Sequence, residues 1–176
     1  MRNRLTFAFV ILTSVACFAS HSFNGFDLKT GRDVALLRDE RVTVLIFVSA
    51  KCPCSMSHAE EISALAKDFP DFRFIGINSN SNETKEMAAK YFSGFPFPVL
   101  KDEKAALADE FKAVKTPHAF ILNAKGEKLF QGGVSSSSTF ARAERKWLRE
   151  ALEDLSAKRA VRTPLARTLG CSIERP

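Results

Sequence analysis

Apolar and polar positions in this chain follow two rhythms that replace one another at short intervals. Residues 42–48 are an almost unbroken run of branched and aromatic side chains, the pattern of a strand covered on both faces. The period then changes. Met56, Ala59, Ile62, Leu65, Ala66 and Phe69 recur at helical spacing, Pro53 suits a first helical position, and Pro70 stops the helix. Residues 72–77 read as a second buried strand and 78–82 as a polar loop. A helix is predicted over 83–92, a short strand over 97–100 and one or two helical turns over 105–111. Residues 119–122 and 127–131 read as a hairpin about a turn at 123–126. Residues 140–156 read as an amphipathic helix with Trp147, Leu148, Ala151 and Leu155 on one side. Gly132-Gly133 and the serines at 135–138 read as a loop, and residues 157–176 as a basic, irregular tail.

Upstream, Lys29-Thr30-Gly31 is a turn signal between short apolar runs, so residues 23–38 predict a small N-terminal hairpin. The order is β–α–β–α, then a β-hairpin, then a helix. A parallel start and an antiparallel end predict an α/β domain, with a central mixed β-sheet flanked by helices and the N-terminal hairpin as an extension. A chain of 176 residues fits one domain. We divide it into a leader at 1–20, a folded domain at 21–158 and a C-terminal tail at 159–176.

The leader carries Arg2 and Arg4, then an apolar stretch at 5–18 that is short for a membrane span, then small residues at Ala19 and Ser20. It reads as a signal peptide cleaved near Ala19, with no stable membrane span after processing. Lipoprotein processing at Cys17, after Ser14-Val15-Ala16, and an uncleaved anchor are the other readings. Each places the domain outside the cytoplasm, periplasmic or secreted. Of the aromatic residues 16 are Phe, with one Trp and one Tyr, so the aromatic content is mainly core filler. The formal charge of +6 is spread along the chain and includes Arg2 and Arg4. Nucleic-acid binding is excluded on that distribution.

Beyond the leader three cysteines remain: Cys52, Cys54 and Cys171. An odd number in an oxidising compartment argues against a purely structural disulfide framework. Cys52 sits where the first long strand meets the first long helix. Unpaired N–H groups and the helix dipole there favour the thiolate, and Lys51 adds a positive charge. Cys54 lies two residues on, in Cys-Pro-Cys. It either closes a distorted, readily reduced bond with Cys52 or points into the packed face of the helix. His58 follows one turn after Cys54. With His118 and both cysteines it makes a candidate Cu(I) ligand set, although a solvated helix position explains His58 as well.

Thr116-Pro117 opens the strand at 119–122. A strand, a cysteine at a helix start and a distal Thr-Pro resemble the thioredoxin superfamily. Ile77-to-Phe92 (INSNSNETKEMAAKYF), FPFPVLKD, FKAVKTPHAFILNAKGEKLFQGGV and the terminal RTLGCSI are similar to its redoxin, peroxiredoxin-like (AhpC/TSA-like) branch. The resemblance runs from about Phe23 to the C-terminus. It implies a thioredoxin-like fold, a cis bond before Pro117 and packing of Pro117 against Cys52, where it shapes a substrate groove and keeps metals and stray thiols away. It also implies that the backbone of Thr116 pairs with an extended substrate segment.

The departures are specific. Ser55 occupies the fourth position of the Cys-x-x-Cys motif of thioredoxin-type reductases. In the Pro-x-x-x-Thr-x-x-Cys motif of peroxiredoxins, Ser49 stands for Thr and Leu45 replaces Pro. Their essential arginine is not assigned by the sequence, Arg142 and Arg145 being possibilities. Cys171 belongs to the Gly170-Cys171-Ser172-Ile173 tail of this branch. It is either a resolving thiol on a mobile tail or a packed residue of a docked one, with Leu165, Leu169 and Ile173 to bury.

Three functions follow as expectations. The first is an exported thiol–disulfide oxidoreductase in which Cys52 attacks a partner disulfide and Cys54, or else Cys171, resolves the mixed disulfide. The second is a thiol peroxidase in which Cys52 becomes a sulfenic acid. The third resembles the Sco-type copper chaperones and holds copper through Cys52, Cys54, His58 and His118. No cofactor is expected in the first two. Partners are a disulfide-containing protein, or a small thiol or peroxide, and an external thiol reductant, since the sequence has no dinucleotide fingerprint.

Overall fold

The structure, a computed structural model, describes residues 22–37 and 40–176. The expected leader with Cys17 lies outside the described residues. Strand β1 (Ser22–Asp27) and β2 (Arg32–Leu37) form the expected hairpin. Strand β3 (Thr43–Phe47) leads into α1 (Pro53–Asp68), and β4 (Arg73–Asn78) into α2 (Lys85–Phe92). Thr84 caps α2, its hydroxyl accepting from the N–H of Met87. Then come β5 (Val99–Lys101), α3 (Ala106–Phe111), the short β6 (Lys115–Thr116), β7 (His118–Leu122) and β8 (Lys128–Gly132). Helix α4 (Trp147–Ser156) and the two-residue β9 (Cys171–Ser172) end the chain.

The main sheet runs β2-β1-β5-β4-β3-β7-β8. β3, β4 and β5 are parallel, β1 and β7 pair antiparallel with β5 and β3, and β8 pairs antiparallel with β7. Alternation along β3 sorts the core. Val44 and Ile46 face a cluster with Ile62 and Leu65 of α1, Phe92 of α2 and Leu148 and Leu152 of α4. Leu45 and Phe47 face the opposite cluster with Ala108 and Phe111 of α3 and Ile173 of the tail. Helices therefore cover both faces, as a parallel centre requires.

Three expectations are corrected. The helical spacing puts Met56 on the buried stripe of α1, but it is 51% exposed. The stripe that meets the sheet is Ser55, His58, Ile62 and Leu65, which Met56 faces away from. The last helix begins at Trp147, not Phe140. Residues 140–142 make only one 3₁₀ turn, because the N–H groups of Phe140, Glu144 and Arg145 donate to the hydroxyls of Ser57 and Ser136 instead of to a helix. Gly132 and Gly133 are more than loop residues. A Cβ on Gly132 would lie 2.6 Å from Cβ of Ala166, and one on Gly133 2.9 Å from the carbonyl of Arg167. The two glycines let the tail cross the edge of β8.

The tail is held along its course. Buried Asp154 receives Arg159 and Arg162, the carboxylate of Asp154 lying 3.0 Å and 2.9 Å from them. Arg162 pulls its pKa down to about 2. Gln131 of β8 bridges Leu165. The last segment then crosses the sheet end, where β9 pairs antiparallel with β6.

Candidate active site

β3 and β4 lie side by side and parallel, so both end at the same rim of the sheet, a usual place for functional groups in open α/β folds. The loop after β3 carries Ser49 to Cys52. Cys52 is the N-cap of α1, and its carbonyl accepts the N–H of Met56 at 3.0 Å. Pro53 follows as the first helical residue. The Sγ of Cys52 is bonded to that of Cys171, 119 residues away, and lies 3.2 Å from the carbonyl oxygen of Thr116. The Thr116–Pro117 peptide bond is cis. Cys52 itself is 3% exposed.

Cys54 keeps a free thiol at the second helical position. Its sulfur and those of Cys52 and Cys171 all lie within 4.8 Å of one another. The structure thus joins Cys52 to the tail, not to Cys54. Adjacent i and i+2 positions flanking a proline at the start of a helix set a poor geometry for a bond, whereas the tail brings Cys171 to Cys52 with Cα atoms 5.9 Å apart.

A carboxyl group that the sequence reading passed over sits beneath the loop. Glu83 is buried. It accepts from the hydroxyl of Ser49, from the N–H of Ala50 at 2.9 Å and from the amide of Asn78 at 2.7 Å. The N–H of Lys51 and the amide of Asn80 reach it at 3.3 Å and 3.2 Å. Ser49 in turn accepts the N–H of Cys52 at 3.0 Å. Ser55, the residue in place of a second Cys-x-x-Cys thiol, accepts the N–H of Ser49 at 3.2 Å and closes the loop. Lys101 completes the network, donating to the side chain of Asn78 and the carbonyl of Asn80. Burial lowers its pKa, against an opposing pull from Glu83. Asn80 also accepts the N–H of Glu174 in the tail at 2.8 Å. One network therefore links the Cys52 loop to the seat of the tail. A polar run directly after a buried strand, at the rim that carries the cysteine, was the available signal.

The expected copper set is not assembled. His58 is 1% exposed, against the solvated position expected for it, and both ring nitrogens are taken, Nδ1 by the carbonyl of Cys54 at 2.7 Å and Nε2 by the hydroxyl of Ser135 at 2.8 Å. The first contact requires an N–H on Nδ1, and Nε2 accepts from Ser135. Burial lowers its pKa, which favours the neutral ring. The edge of the ring meets Phe140. His118 lies on the other face of the sheet, its ring 4.4 Å from that of Phe120. Burial first, and the charge of Lys128 next, push its pKa down to about 4. Among the described residues, the group of possible soft ligands within reach of one another is Cys52, Cys54 and Cys171.

A cavity of about 160 Å³ opens against the disulfide, with Lys51, Asn82, Glu83 and Glu174 in its wall. Neither Arg142 nor Arg145 lines it. Arg145 is paired with Glu150, and Arg142 is exposed.

A mixed sheet between helices, a cysteine capping the first helix and a cis-proline strand beside it define a thioredoxin-like thiol protein. Residues 21–127 match the AhpC/TSA family, and the chain belongs to that family. A stretch of 109 residues is 25% identical to sporulation thiol-disulfide oxidoreductase A of Bacillus subtilis (strain 168), covering 58% of this chain and 66% of that protein. The chain thus spans slightly less than two thirds of that relative. An uncharacterized conserved protein from Geobacillus kaustophilus has the same fold over 89% of this chain and 90% of its own, with a TM-score of 0.79 and 26% identity. The crystal structure of StoA from Bacillus subtilis matches over 64% of this chain and 87% of that chain, with a TM-score of 0.55 and 20% identity. Among the described residues no helix is long and apolar enough to cross a membrane.

Proposed function

We propose that the chain is an exported thiol–disulfide oxidoreductase whose nucleophile is Cys52 and whose resolving thiol is Cys171. The observation that carries this reading is the bond from the helix-capping Cys52 to Cys171 beside the Thr116–Pro117 edge. In the reduced protein the N-terminal N–H groups of α1 stabilise a Cys52 thiolate. That thiolate attacks one sulfur of a partner disulfide, forms a mixed disulfide and expels the partner's other sulfur as thiolate. The Cys171 thiolate then attacks Sγ of Cys52. The partner leaves as a dithiol and the Cys52–Cys171 bond re-forms, two electrons having passed to the partner. An external thiol reductant resets the pair. The free Cys54, with its sulfur in the same group, can exchange with either member. Family membership and the similarity to a protein named as a thiol–disulfide oxidoreductase support the reading, and the signal-like leader supports export. The test is insulin reduction with a thiol donor. Cys52→Ser should abolish it, and Cys54→Ser/Cys171→Ser should trap mixed disulfides with partners. Full activity in Cys52→Ser would overturn the proposal.

The sulfur group favours a second reading. Once reduced, Cys52, Cys54 and Cys171, whose sulfurs all lie within 4.8 Å of one another, would hold a soft monovalent ion such as Cu(I) through three thiolates. This site differs from the one expected from the sequence, because Cys171 takes the place of both histidines. One Cu(I) per reduced chain, lost in Cys171→Ser and kept in His118→Phe, would support it.

A further inference from the structure

The C-terminal segment lies in its seat as a bound peptide would. Cys171 pairs with Thr116 and Ser172 with Lys115 in an antiparallel ladder. The N–H of Ile173 donates to the carbonyl of Val114 at 3.0 Å, and the N–H of Ser81 to the carbonyl of Glu174 at 2.8 Å. These backbone contacts accept any sequence. Other features of the seat do not. A Cβ at Gly170 would lie 2.0 Å from the carbonyl oxygen of Thr116 and 2.7 Å from its carbon, both backbone atoms that cannot move aside. The residue before the cysteine must therefore be glycine. Ser172 points to solvent and is unconstrained. Ile173 is 5% exposed and buried with the cluster around Phe111 and Ala113. Arg175 donates to the carboxylate of Asp109 at 2.8 Å and to the carbonyl of Ala113 at 3.0 Å.

We infer that this seat is a selective peptide-binding site, and that partners present to Cys52 an extended segment of the pattern Gly-Cys-polar-aliphatic, followed two residues later by a basic side chain. The inference rests on the thiol-exchange reading and adds the substrate class to it. The tail is the internal copy of the ligand. In the oxidised protein it fills the seat. After reduction it is held only by contacts that a partner segment can replace one for one. The partner's cysteine then stands where Cys171 stood, with its sulfur at Sγ of Cys52. Discrimination comes from the Thr116 carbonyl, which excludes any Cβ before the cysteine, and from the apolar pocket two residues after it.

The test uses the full chain as Cys54→Ser/Cys171→Ser/Ile173→Asp, so that Cys52 is the sole thiol beyond the leader and the resident tail is loosened. The probe is the peptide Arg-Thr-Leu-Gly-Cys-Ser-Ile-Glu-Arg, its cysteine blocked as the disulfide of thionitrobenzoate. Attack by the Cys52 thiolate forms the protein–peptide disulfide and releases the coloured thionitrobenzoate anion, which gives the rate. Peptides with alanine for glycine, or aspartate for isoleucine, should react at least about tenfold more slowly. Rates within about twofold of one another, with free dithionitrobenzoate reacting readily, would overturn the inference and leave the thiol-exchange reading standing. A Cys52 inert to dithionitrobenzoate as well would overturn both.

Discussion

The backbone of Thr116 is paired with that of Cys171, and the carbonyl oxygen of the same Thr116 stands 3.2 Å from Sγ of Cys52. One residue thus sets both the strand register of the tail and the position of the sulfur to which the tail is bonded. Replacing Gly170 by Ala drives a Cβ into that carbonyl and lifts the tail, at a cost of about 1–3 kcal/mol. The fraction of chains with the Cys52–Cys171 bond, mapped by mass spectrometry in a glutathione buffer, should fall.

Reduction should also destabilise the fold globally. The bond closes a separation of 119 residues, and the chain-entropy estimate for such a loop is about 4–5 kcal/mol. Cys171→Ser should lower the urea midpoint of the oxidised protein by a matching amount, and leave the midpoint of the reduced protein nearly unchanged.

Glu83 organises the loop through the Ser49 hydroxyl and the N–H groups of Ala50 and Lys51. Glu83→Gln turns an acceptor against these donors, and should cost about 2–3 kcal/mol in urea unfolding. It should also change the rate of Cys52 alkylation in the reduced protein, because the N–H of Cys52 is held by Ser49. Glu83→Gln with unchanged stability would show that the network does not organise the loop.

His118 gives a pH dependence of definite sign. Its folded pKa is depressed to about 4, below the ordinary histidine value of 6.5. Between those values the unfolded chain binds a proton that the folded chain does not, so stability falls as the pH drops through this window. In His118→Phe, which suits the neighbouring ring of Phe120, the fall between pH 6.5 and 4 should be shallower in chemical denaturation.

Asp154 acts at lower pH. With its pKa held at about 2 against an ordinary 3.8, its contribution is present above pH 3.8 and is lost as the pH falls through 2. Asp154→Asn should remove that transition and raise amide exchange in residues 157–163, which lead from α4 to the tail.

The centre of the sheet was legible in the sequence because β3, β4 and β7 are buried on both faces and read as continuous apolar runs, and because one helix separates β3 from β4. The start of the last helix was not, since Phe140 to Lys146 carries helix-compatible residues and only the hydroxyls of Ser57 and Ser136 divert its N–H groups. Cys52 was legible from its place at a strand-to-helix junction. Its bond to Cys171 was not, because pairing across the whole domain depends on where the tail crosses the sheet end. Glu83 read as an ordinary acidic helix start. Its burial arises only when the two loops after β3 and β4 close over it. The burial of His58 is not legible because it shares its turn with exposed residues, and the Ser135 hydroxyl that takes its Nε2 is brought there by a tertiary contact.

The bridge from Gln131 to Leu165 has a kinetic meaning. It anchors the chain shortly before the cysteine, so a freed Cys171 roams on a leash of at most about 20 Å from Leu165. On so short a tether the local concentration of the returning thiol is of order millimolar, whatever the protein's abundance. Ring closure is then a first-order event with its own clock, and an incoming partner has only the interval before that clock runs out.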